Sequence, residues 1–166
     1  IMYNPIGGDA FEYVELLNAG SSEVNLRDAQ FDRGITYRFG NLSLAAGERI
    51  VVAKNRESFL SRYGAEGIRL AAGQFEGRLK NGGETIALID GDGNWVFDVD
   101  YADSGAWPGR ADGKGSSLEV IDPQLDLNNP SNWNSSIRYQ GTPGDGIGRA
   151  PAVVINEVLA HSDLPL

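Results

Sequence analysis

Asp90-Gly91-Asp92-Gly93-Asn94 sets two carboxylates and an amide at alternate positions of a glycine-rich stretch, the oxygen spacing that suits a calcium loop. An EF-hand would need glycine at the sixth position of that loop and a bidentate glutamate at the twelfth. Those positions hold Trp95 and Tyr101. The stretch therefore reads first as a hairpin turn, since Asp, Gly and Asn are ordinary turn residues. Asp90, Asp92 and Asn94 remain candidate ligands of a weak calcium site of another kind.

Acid–base and nucleophilic chemistry find little support. The chain has one histidine, His161, and no cysteine. Ser-His-Asp catalysis needs a base within hydrogen-bond reach of its nucleophile, and His161 sits in the final segment, away from the body of the chain. Zinc through histidine or thiolate ligands fails on the same count. Asp98 and Asp100 fall on one face of a strand, so a two-carboxylate glycosidase geometry is conceivable. In a chain this acidic they read as surface charge. No catalytic residue and no cofactor is expected.

Aromatic side chains carry the binding alternative. Trp95, Trp107 and Trp133, with Tyr101 and Tyr139, could stack on a sugar. Trp107, beside Pro108, and Trp133 are expected to pack at a sheet edge instead. Trp95, next to the turn, is the most open of the three. Trp95, Tyr101 and Trp107 are the candidate ligand-binding residues.

These residues must be positioned by short strands. Residues 85–90 are apolar and β-prone, and residues 95–101 alternate Trp95, Phe97, Val99 and Tyr101 against Val96, Asp98 and Asp100, so the two predict a hairpin. Ile1-Met2-Tyr3 is a short strand, and in residues 11–17 Val14 and Leu16 should point inward. Ile35, Tyr37 and Phe39 share one face of another strand. Residues 50–53 form a continuous apolar run, consistent with a strand buried on both faces. One helix is expected over residues 55–63, with Asn55 as N-cap, Glu57 in its first turn and Gly64 closing it. Gly113 and Gly115, in the loop after Trp107, suggest positive φ or a close backbone approach. The 22 glycines and 7 prolines favour many turns. Nine to ten short strands and one helix make an all-β sandwich the predicted fold.

Five motifs in order carry a resemblance. They are Glu12-Tyr13-Val14-Glu15-Leu16-Leu17-Asn18, then residues 44–53 around Gly47, then Asn81-Gly82-Gly83-Glu84. Trp107-Pro108 with Asp112-Gly113-Lys114-Gly115-Ser116-Ser117-Leu118-Glu119 follows, and Gly141-Thr142-Pro143-Gly144 closes the set. Together they resemble the lamin tail domain, an immunoglobulin-like module, in its bacterial form. The resemblance implies an immunoglobulin-like sandwich and a non-catalytic interaction or spacer role in a larger secreted or cell-surface protein. A carbohydrate-binding module using exposed tryptophan is the alternative.

Composition narrows the partners. The net charge of −9 opposes phosphate backbones, so nucleic acid is not expected. No apolar run approaches the ~20 residues that span a bilayer, so membrane insertion is not expected either. A protein or polysaccharide surface is the expected partner.

The sandwich should occupy residues 1–148, with residues 149–166 a linker and the first strand of a following copy. Val153-Val154-Ile155-Asn156-Glu157-Val158-Leu159 resembles the family's opening strand, with Val158 opposite Ile1. As an unpaired strand it is expected to pair with a neighbouring copy, giving tail-mediated self-association, or with an exposed edge of its own sandwich.

Overall fold

The computed structural model describes residues 1–145, and the expectations about the linker, the tail and His161 fall outside that range. Its elements are β1 (Tyr13–Leu17), β2 (Val24–Asn25), β3 (Gln30–Arg33), β4 (Ile35–Thr36), β5 (Ser43–Leu44), β6 (Arg49–Ala53), α1 (Arg56–Tyr63), β7 (Glu76–Gly77), β8 (Gly83–Ile89), β9 (Trp95–Ala102), β10 (Leu118–Val120) and β11 (Trp133–Ser135). These strands pair with one another antiparallel, and the fold is an all-β, immunoglobulin-like sandwich with one short helix among the described residues.

β6 shows why two apolar clusters form. Ile50 and Val52 face one side and enter the main core, while Val51 and Ala53 face the other and enter a smaller one. All four are buried, as a strand covered on both faces requires. β6 pairs with β1, Val14 opposite Val52 and Leu16 opposite Ile50, so Val14 and Leu16 also point into the main core.

The smaller cluster is the seat of α1. Asn55 caps the helix by accepting the Ser58 amide at 2.9 Å, and the Gly64 amide donates to the Leu60 carbonyl at the other end. Phe59 is fully buried against Met2, Tyr13, Val51 and Ala53. Burying a side chain of that size stabilises the fold by roughly 1.5–3 kcal/mol. Among the described residues, no helix is long and apolar enough to cross a membrane.

The opposite layer is built on β3, β8 and β9 in that order. Ile86 pairs with Val99 and Leu88 with Phe97, and the register shifts at Ile89 just before the turn. Ile35, Tyr37 and Phe39 turn into the main core from one side of their segment. Ile1 and Met2 join the first layer as a single short rung, Met2 bridging Tyr13 and Ile1 bonding to Leu118. That layer therefore runs β6, β1, Ile1–Met2, β10, β11.

Candidate functional site

The candidate calcium turn is closed by its own hydrogen bonds. Asp90 sits at the end of β8, and its Oδ1 accepts the amides of Asp92 at 2.9 Å and Asn94 at 2.8 Å. The Asn94 side-chain amide donates to Asp90 Oδ2 at 3.0 Å. That side-chain bond, followed by the Asn94 backbone amide, holds the Asp90 carboxyl below the usual carboxylate range. Asp90 thus acts as the fastener of a hairpin turn. Among the described residues, no three acidic or histidine side chains gather in a way that could hold a metal ion.

Trp95, Tyr101 and Trp107 do not share one surface state. Trp95 opens β9 at the tip of the hairpin and is 67% exposed, with its indole Nε1 donating to Asp98 Oδ1 at 2.9 Å. Tyr101 is buried, which corrects its assignment as a stacking residue. Its ring lies 4.8 Å from that of Tyr3, and its hydroxyl donates to the Lys80 carbonyl at 2.8 Å, so neither face is open to a ligand. Trp107 is half-buried with its ring 5.8 Å from that of Trp133, and both pack on the main core. Trp133 anchors its end by donating Nε1 to the Leu127 carbonyl at 2.8 Å. Of the candidates, Trp95 alone presents an open indole face.

Asp98 and Asp100 have structural partners. Asn128 donates its side-chain amide to Asp98 Oδ2 at 3.1 Å and accepts the Asp100 backbone amide at 2.7 Å. The Thr85 hydroxyl donates to Asp100 at 3.2 Å. The pair thus ties the loop before β11 to the face of β9.

Two acidic residues in β1 and just before it matter more than their position suggests. Glu12 is fully buried, and its Oε2 accepts the Leu79 amide at 3.0 Å while Oε1 has no partner. Loss of solvent pushes its carboxyl up to about 7. The signal was present in the strand period: Glu12 shares its parity with Val14 and Leu16, so it must face inward.

Glu15 lies on the other face. It accepts the Gly144 amide and stands 3.6 Å from Arg49, with burial raising its carboxyl despite both contacts. Glu119 beside it accepts the Thr142 hydroxyl. Gly141-Thr142-Pro143-Gly144 is therefore clamped by two carboxylates, one on β1 and one on β10. The chemistry of these acids is fastening: each holds a loop amide or hydroxyl against the sandwich.

Compared with protein families, the chain matches the model of the Lamin Tail Domain over residues 1–103. The residues beyond that match still contribute β10 and β11 to the first layer. Neither a curated protein nor a solved structure matches the chain.

Proposed function

The chain belongs to the lamin tail domain family, and from that premise we propose that it is a non-catalytic interaction or spacer module of a larger secreted or cell-surface bacterial protein. The observation that carries this reading is the use made of its acidic side chains. Asp90, Asp98, Asp100 and Glu12 each hold a neighbouring backbone or side-chain donor. A catalytic carboxylate would instead face a space where a substrate's reacting atom could sit. The expected partner is a protein or polysaccharide surface, with no role for nucleic acid, membrane insertion or a cofactor. The tail, on this reading, opens a second copy of the domain.

A second reading rests on Trp95. Its exposed indole, fixed by Asp98, is a platform on which the apolar face of a sugar ring could stack. Titration of intrinsic tryptophan fluorescence with soluble polysaccharides separates the two. Unchanged emission across the panel supports the protein-surface or spacer role. A saturable shift that disappears in Trp95→Ala supports the sugar-binding role and overturns the first.

A further inference from the structure

The turn that enters β8 has fixed ends and a free centre. The Gly83 amide donates to the Lys80 carbonyl at 3.1 Å, closing a four-residue turn with Asn81 and Gly82 in the middle. The same carbonyl accepts the Tyr101 hydroxyl at 2.8 Å, and the Lys80 amide donates to Glu84 at 2.8 Å. One residue earlier, the Leu79 amide is held by buried Glu12 at 3.0 Å. On the far side, Gly83 has φ 103° and backs onto the Tyr101 carbonyl and the Ala102 Cα.

Between these anchors Asn81 and Gly82 are exposed. Among the described residues, the peptide joining them has no partner for its C=O or its N–H, and the Asn81 side chain makes no hydrogen bond. Such a central peptide can rotate without breaking a bond, since type I and type II turns differ by that rotation and glycine accepts either state.

That freedom sits on a reactive pair. Gly82 follows the asparagine with no Cβ to screen its nitrogen. The nitrogen can lose its proton to solvent and attack Asn81 Cγ, whereupon the Cγ–Nδ2 bond breaks and ammonia leaves. A cyclic imide results, and water opens it at either carbonyl. One opening leaves an ordinary aspartate at position 81. The other leaves a β-linked aspartate, whose backbone runs through Cβ and Cγ and is one atom longer. The net change is one water consumed and one ammonia released.

The other asparagines are less well placed. Asn81 alone in the chain precedes glycine. Asn4 and Asn129 precede proline, whose nitrogen has no proton to lose. Asn18 and Asn132 are buried, with their side-chain amides donating to backbone carbonyls. Asn134 is exposed, but Ser135 after it carries a Cβ and pairs with Leu118.

We propose that Asn81 is a site of spontaneous deamidation and that its β-linked product loosens the sandwich from this turn. The added atom falls between Lys80 and Gly83, so the Lys80 carbonyl can no longer meet both the Gly83 amide and the Tyr101 hydroxyl. Gly83 has no room to compensate, because backbone stands against it. The displacement therefore falls on Lys80, and Tyr101 loses its acceptor inside the fold. This holds whatever the module binds.

Peptide mapping by mass spectrometry of the full-length chain, aged in mildly alkaline buffer, tests the reaction. Position 81 should convert first, with Asn134 slower by at least an order of magnitude. Gly82→Ala supplies the control. Gly82 lacks a positive φ and a Cβ there meets nothing, so the variant should fold as the parent does while the added methyl slows conversion by a similar factor. Conversion at position 81 no faster than at Asn134, or unchanged in Gly82→Ala, overturns the proposal. The structural consequence is read by thermal melting of the separated products beside Asn81→Asp, which adds the charge but no backbone atom. The β-linked form should melt several degrees below N81D, and coincident midpoints overturn the link from this turn to the core.

Discussion

Inside the sandwich, the carboxylate of Glu12 accepts the amide of Leu79 at 3.0 Å, joining the start of β1 to the segment that leads into β8. Its second oxygen is buried without a partner, so the protonated form is favoured in the folded chain. The folded carboxyl is pushed up to about 7, against an ordinary value of 4.5 in the unfolded chain. The folded state therefore holds a proton that the unfolded state has released between those limits. The stabilising contribution is fully present below about pH 4.5 and is lost as the pH rises toward 7. The full difference is on the order of 3 kcal/mol. Glu12→Gln keeps an acceptor for Leu79 and cannot ionise. Urea denaturation at pH 5 and pH 7.5 should show the variant losing less stability than the parent over that interval. Equal losses would mean that Glu12 does not titrate in this range.

Two glycines separate strain from crowding. Gly115 has φ 85° and its carbonyl accepts the Gln140 amide, with the Tyr139 ring and Ile6 standing where a side chain would go. Tyr139 is exposed and can swing away, so Gly115→Val should cost about 1–3 kcal/mol, mostly through backbone strain. Gly83 has φ 103°, and a side chain there would overlap the Tyr101 carbonyl and meet the Ala102 Cα at 2.7 Å. Backbone cannot swing aside. Gly83→Val should therefore be the more destabilising of the two in thermal or urea unfolding, and the reverse order would sink the argument.

How much of this was legible in the sequence depends on whether a feature is local. The caps of α1, the double burial of residues 50–53 and the inward face of Val14 and Leu16 follow from spacing alone. Depth did not. Trp95 and Tyr101 share one face of β9 by alternation, yet Trp95 lies at the overhanging tip, beyond a register shift, and Tyr101 lies over the core against Tyr3. Period tells which way a side chain points, and not what stands in front of it. The Asn128 bridge to Asp98 and Asp100, and the clamp of Glu15 and Glu119 on residues 142–144, depend on where long loops return to the sheet. No short-range pattern encodes that.

The Asp90 turn yields a prediction about calcium. Its carboxylate already accepts the amides of Asp92 and Asn94, and the turn needs no ion to close. A site filled at a hundredfold excess over its Kd would add about 2.7 kcal/mol, enough to move Tm by roughly 5–11 °C in a chain of this size. Melting in EDTA and in millimolar calcium should give the same Tm. A midpoint several degrees lower in EDTA would show that the turn, or another group of oxygens, holds the ion.

The three tryptophans should part company when each is removed. Trp133 is buried in the main core and holds the Leu127 carbonyl, so Trp133→Ala leaves both a cavity and an unpaired acceptor. A loss of about 3–5 kcal/mol is expected. Trp95 touches solvent over most of its surface and contributes one exposed hydrogen bond to Asp98, so Trp95→Ala should change stability by no more than about 0.5 kcal/mol. The optical signals should divide the same way. Acrylamide reaches Trp95 readily, so Trp95→Ala removes the red-shifted, quenchable part of the emission and leaves the blue-shifted part from Trp107 and Trp133. If quenching is unchanged in that variant, the hairpin tip is covered in solution and Trp95 is no platform for a ligand.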